Sequence, residues 1–215
     1  MRAGPLLSGL AAALMLFAGC SAAGPASTPS ASGTGHHPSG PATGELPATD
    51  RAGVLRATAG AQDVSIARAK GYESSLTTLG CFQDPQQGGM GLHYINQKLL
   101  DDRVDGLNPE AMVYELDARG KIAGLVALEY IVPIDAWHAT EPPTLFGMQY
   151  HRHSTLPLWV LHLWIWKDNA NGLFADFNPA VRLCPDGVPV FGRDLPKPQP
   201  STSASSSPSA SPSGR

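Results

Sequence analysis

Apolar and polar positions divide the chain into distinct regimes. Residues 5–18 are an almost unbroken apolar run, interrupted only by Ser8 and Gly9. Residues 21–48 and 195–215 have no apolar periodicity. Residues 50–194 alternate apolar segments with turn-forming clusters. Within that stretch, residues 50–70 place Val54, Leu55, Ala59, Val64, Ile66 and Ala67 at helical spacing ahead of Gly71, which predicts a helix that Gly53 and Gly60 weaken. Residues 91–96, 112–117, 121–132 and 158–167 predict strands. Ala118-Arg119-Gly120 forms a short turn between two of them, and Pro133 is a stop. A helix followed by mainly antiparallel strands with long loops is an α+β pattern.

Composition narrows the packed part. Gly (23) and Pro (20) make up one fifth of 215 residues, too much for a chain that is core throughout. Residues 21–48 are almost entirely Ala, Gly, Ser, Thr and Pro, with Glu45 the single formal charge, and residues 195–215 hold eight serines and five prolines. Such stretches bury too little to offset chain entropy, so both read as disordered, residues 20–49 as a tether and 195–215 as a tail. His36-His37 is too sparse for a metal-binding tract. Residues 50–194 then form one domain of ordinary size, with 12 basic and 17 acidic residues. That balance offers no basic field for nucleic-acid phosphates, so no nucleic-acid partner is expected.

The apolar run at residues 5–18 is too short to span a bilayer and follows Arg2, as in the core of an export signal. Leu16-Phe17-Ala18-Gly19-Cys20 resembles the lipobox of bacterial lipoproteins, with Phe17 in place of the usual leucine. This implies removal of residues 1–19, lipidation of Cys20, and a membrane anchor at the extracytoplasmic face. Ordinary cleavage after Ala23, which would discard Cys20, is the alternative. With Cys20 lipidated, Cys81 and Cys184 remain as an even pair in an oxidising compartment, and a disulfide between them is expected; free or metal-bound thiols are the alternative.

The chemistry-bearing candidates lie in strands. Residues 122–132 are apolar on both faces except for Glu129 and the phenol of Tyr130, so a carboxylate sits where burial demands a partner. His162 is in the same position, with Val160, Trp164 and Trp166 expected on its face and Leu161, Leu163 and Ile165 on the other. His93 follows Gly91 in a glycine-rich approach that admits other backbone. If these strands are neighbours, His93, Glu129 and His162 form a ligand set suited to zinc, iron or copper with positions left open. A metal-free buried Glu–His pair, or acid–base catalysis by the same groups, is the alternative. Tyr94, Tyr130, His151, His153 and Trp164 are secondary candidates. His151 and His153 share one side of an extended segment, and Trp164 could line a pocket. His138 and Glu141 read as a surface loop. No nucleophile elbow, phosphate-binding glycine loop or His-Glu-x-x-His helix occurs.

Gly88–Asn96, Leu128–Pro133 and Leu161–Trp166 together resemble a group of uncharacterised exported bacterial proteins with GGMGxHYxN, VEYxVP and LHxWxW motifs, over residues 72–184. Leu128 replaces the valine of the second motif. The resemblance implies an exported domain but carries no activity or cofactor. The expected role is therefore a lipid-anchored extracytoplasmic domain that binds a small ligand or a divalent transition metal. The rivals are an envelope enzyme using the same residues and an interaction module for an envelope protein.

Overall fold

The computed structural model of the chain describes residues 44–195. The expected export signal, Cys20, His36-His37, most of the tether and nearly all of the serine-rich tail lie outside the described residues. The fold begins earlier than residue 50: Leu46 is buried and the first helix opens at Ala48. The helical segment expected over residues 50–70 is divided into α1 (Ala48–Thr58), a 3₁₀ turn (Ala59–Gln62) and α2 (Val64–Ala69). The break falls where Gly60 lowers helix propensity and where Asp63 caps α2, its side chain accepting from Ser65 N at 2.8 Å.

The strands are β1 (Glu73–Ser74), β2 (Cys81–Asp84), β3 (Gly88–Ile95), β4 (Ala111–Leu116), β5 (Ile122–Pro133), β6 (Thr144–Leu145), β7 (Met148–Gln149), β8 (His151–Arg152) and β9 (Leu158–Leu163). An antiparallel sheet runs β1-β3-β4-β5-β9-β8, with β2 also paired to β3, and β6-β7 form a small hairpin. The protein is thus α+β, with a mainly antiparallel sheet.

One sheet face packs against the helices. Val54, Ala61 and Ala67 meet Leu92, Tyr94, Tyr114, Leu128, Tyr130 and Leu161 in the main core. Tyr114 donates its hydroxyl to Ala61 O at 2.7 Å, tying the 3₁₀ turn to β4. The opposite face carries a smaller cluster that includes Phe82, Met90, Val113, Ala127 and Trp164.

Two irregularities decide which residues face which way. The β4–β5 ladder shifts register between Val113 and Tyr114, so Leu125 and Leu128 both reach the helix side while Ala127, Glu129 and Ile131 face away. In β3, Gly91 has φ +117°, and a Cβ there would strike the carbonyl of Tyr114. Across it the alternation inverts, with Met90 on the second face and Leu92 on the first.

A disulfide joins Cys81 and Cys184, whose Cα atoms are 5.9 Å apart across a sequence separation of 103. It links β2 to the irregular segment that follows β9. Backbone bonds reinforce the junction: Cys81 N donates to Pro189 O at 2.8 Å and Phe191 N to Cys81 O at 2.9 Å.

Candidate metal centre

Glu129 and His162 are direct cross-strand partners in β5 and β9, so register alone places both side chains on one face. His93 comes from β3, two strands away from β5. Between them β4 presents Ala111 opposite Glu129 and Val113 opposite His93. These short side chains leave room for the longer histidine and glutamate to meet above them. One ligand atom from each of the three residues lies within 4.8 Å of the other two. His93 Nε2 is 3.1 Å from Glu129 Oε2, and His162 Nε2 is 3.5 Å from Glu129 Oε1. All three side chains are buried, at 7% exposure or less.

Asp176 completes the arrangement and was not among the residues picked from sequence. Its Oδ1 lies 3.2 Å from His162 Nδ1 and 3.2 Å from His151 Nε2. It sits on the irregular chain beyond β9, held by a contact that glycine permits. Asn178 N donates to Gly89 O at 2.9 Å and Gly89 N to Val181 O at 3.2 Å, and a Cβ on Gly89 would collide with the carbonyl of Arg182. The sequence signal was a lone carboxylate within Leu173-Phe174-Ala175-Asp176-Phe177, the same logic that selected Glu129.

The polar inventory is incomplete in an informative way. His162 Nε2 and His93 Nδ1 are buried without a hydrogen-bond partner, so the 3.5 Å approach of His162 Nε2 to Glu129 lacks hydrogen-bond geometry. With Nδ1 turned to Asp176, His162 directs Nε2 toward Glu129 and the His93 imidazole. Burial opposes ionisation of Glu129, but the facing His162 and His93 imidazoles hold its carboxyl well below the usual range. Burial likewise opposes charge on His162, yet Glu129 and Asp176 raise its pKa above the ordinary histidine value. Asp176 stays strongly acidic despite its partial burial, because His151 and His162 hydrogen-bond to it.

Two cavities reach the cluster. An inner chamber of about 30 Å³ has His93 and Glu129 on its wall, among apolar side chains such as Met90, Ile131 and Leu158. An outer cleft of about 290 Å³ touches His162, Asp176 and His151. Phe82, Met90 and His153 line both. Phe82 stacks on Phe191 with ring centroids 4.4 Å apart and meets His93 edge-on at 4.7 Å.

The secondary candidates separate. His151 belongs to the cleft through Asp176. His153 is half-buried between the two cavities, and its Nδ1 accepts from Thr155 N and Leu156 N, each at 3.1 Å. Burial lowers its pKa. Tyr94 and Tyr130 do not join the site. They lie on the helix face, Tyr94 accepting from Arg68 Nη2 at 3.0 Å and Tyr130 donating to Gly106 O at 2.9 Å. Trp164 shares the face of His162 but lines neither cavity; its indole donates to Ala175 O and so braces the loop carrying Asp176. Trp166 does not share that face, because β9 ends at Leu163. Its indole donates to Thr58 Oγ1 at 3.1 Å on the helix side.

Comparison of the chain with protein-family models, with curated proteins and with solved structures finds no match. Among the described residues no helix is long and apolar enough to cross a membrane.

Proposed function

We propose that this chain is a lipid-anchored extracytoplasmic domain that binds a divalent transition-metal ion through His93, Glu129 and His162. The observation that carries the reading is the unpartnered His162 Nε2, buried and facing a carboxylate while Nδ1 is engaged by Asp176. A carboxylate–histidine pair of this kind is the outer support found behind metal-ligating imidazoles, where it fixes the tautomer and raises ligand basicity. Two donors each about 2.0–2.1 Å from a tetrahedral ion stand about 3.3–3.4 Å apart. The two imidazole–carboxylate approaches, to different oxygens of Glu129, are 3.1 and 3.5 Å, and the three donor atoms lie within 4.8 Å of one another, close enough for small side-chain shifts to bring them onto one ion. Two imidazoles and one carboxylate suit zinc, iron or copper and leave coordination positions free.

The lipid anchor and the location are supported by the apolar run at residues 5–18 and by the Leu16–Cys20 segment. The Cys81–Cys184 disulfide suits an oxidising compartment. The test has two parts. The purified protein should carry or take up one equivalent of metal, and Glu129→Gln should lose it. If Glu129→Gln instead binds metal as the parent does, or if the parent binds none and the substitution only destabilises the fold, the cluster is a structural hydrogen-bond network. Full-length protein should partition into membranes and lose both lipid mass and partitioning on Cys20→Ala; an amino terminus at Gly24 would refute the anchor.

A further inference from the structure

We infer that the metal's free coordination position opens toward the aromatic cleft and takes a small carboxylate bearing a flat apolar group, with His153 donating a hydrogen bond to the carboxylate. The inference rests on the metal-centre reading and extends it to a ligand class.

Three observations combine. The first is placement: His93 and Glu129 wall the inner chamber, His162 walls the outer cleft, and His153 lines both, so the space beside the three donors is the space His153 adjoins. The second is the tautomer of His153. An imidazole nitrogen that accepts two backbone N–H groups carries no proton, so the neutral ring bears its hydrogen on Nε2. Among the described residues Nε2 has no hydrogen-bond partner, which leaves a fixed neutral donor for an incoming acceptor. The third is charge and surface. A divalent ion bound by one carboxylate and two neutral imidazoles keeps about +1 on its direct ligands. The ionised Asp176 behind His162 offsets part of it, so a monoanion is held at the free position by direct ligation and the His153 donor and not by charge alone. The cleft leading there mixes polar residues, Arg152 and Asp176 among them, with Phe82, Phe177 and Phe191, and these three rings favour a flat apolar substituent. A carboxylate can bind the ion through one oxygen and accept from His153 through the other.

The test uses the full-length protein in detergent, loaded with cobalt(II), whose visible bands report the coordination sphere. Acetate and benzoate are titrated in at fixed pH and ionic strength. Both should shift the bands, benzoate about tenfold more tightly for the burial of its ring. His153→Phe should weaken both about tenfold while cobalt affinity is unchanged. His153→Gln, which retains an acceptor for the Thr155 and Leu156 amides and an N–H donor, should restore most of the loss.

Cobalt bands that respond to neither anion would overturn the ligand assignment and leave the metal reading standing. Failure to bind cobalt would overturn both. Equal affinity for acetate and benzoate would refute the aromatic cleft as the binding surface. Anion binding unchanged in His153→Phe, or lost equally in His153→Gln, would refute the donor role of His153.

Discussion

Glu110 is a buried carboxyl outside the metal cluster, and replacing it tests the electrostatic account of the sheet. It is 4% exposed immediately before β4, and its Oε2 accepts from Ile131 N at 2.9 Å. Among the described residues no cationic side chain pairs with it. Burial pushes its pKa from 4.5 up to about 8, against the opposing effect of the Ile131 amide and with help from the Asp101 and Glu129 charges. The folded protein therefore holds this proton where the unfolded chain has released it. The unfolded state binds fewer protons across that window, so Glu110 makes stability fall as pH rises from about 4.5 to about 8. At about 1.4 kcal/mol per pKa unit, the loss is on the order of 3 kcal/mol by pH 7 and 4–5 kcal/mol once pH passes the folded value.

Glu110→Gln retains an acceptor for the Ile131 amide and cannot ionise. Its stability should match the parent near pH 4 and exceed it by about 3 kcal/mol at pH 7. Urea unfolding of both proteins, with the disulfide intact and ionic strength fixed, measures the difference at each pH, and titrations common to both cancel. Parallel stability profiles for the two proteins, or a variant less stable than the parent at pH 8, would refute the reasoning.

Asp176→Ala should weaken metal binding about 10- to 100-fold through loss of support to His162, with the far-ultraviolet spectrum retained; competition against a chelator measures it. Metal affinity should fall about tenfold per pH unit below the raised pKa of His162, because Nε2 must lose its proton to bind. Titration calorimetry in buffers of different ionisation enthalpy should count that proton, and no pH dependence between 6 and 7 would contradict it. Opening the Cys81–Cys184 bridge, which closes a separation of 103 residues, should cost on the order of 4–5 kcal/mol, read from urea midpoints with and without reductant.

Some of this protein is written locally. Alternation of apolar and polar positions is a property of a few consecutive residues, so the long strands and the helical segment were legible. The anomaly of Glu129 and His162 within apolar strands was legible for the same reason. The pairing of Cys81 with Cys184, which the structure contains, was expected from parity and from the oxidising compartment that the export-signal reading implies.

Tertiary structure alone decided the register and the faces. Glu129 opposes His162 because of how β5 and β9 align, and His93 reaches them because Ala111 and Val113 are short at the intervening positions. The register shift in β4–β5 and the inverted alternation at Gly91 depend on neighbouring strands, and no single strand encodes them. Tyr94 and Tyr130 follow the alternation to the helix side, where packing and their hydroxyl partners leave them outside the site. Trp166 departs from it because β9 ends at Leu163. Asp176 lies in an irregular segment with no period to read, and it meets His162 only because that segment closes against Gly89. Local periodicity flags which residues are costly to bury; long-range chain closure determines which of them share the cost.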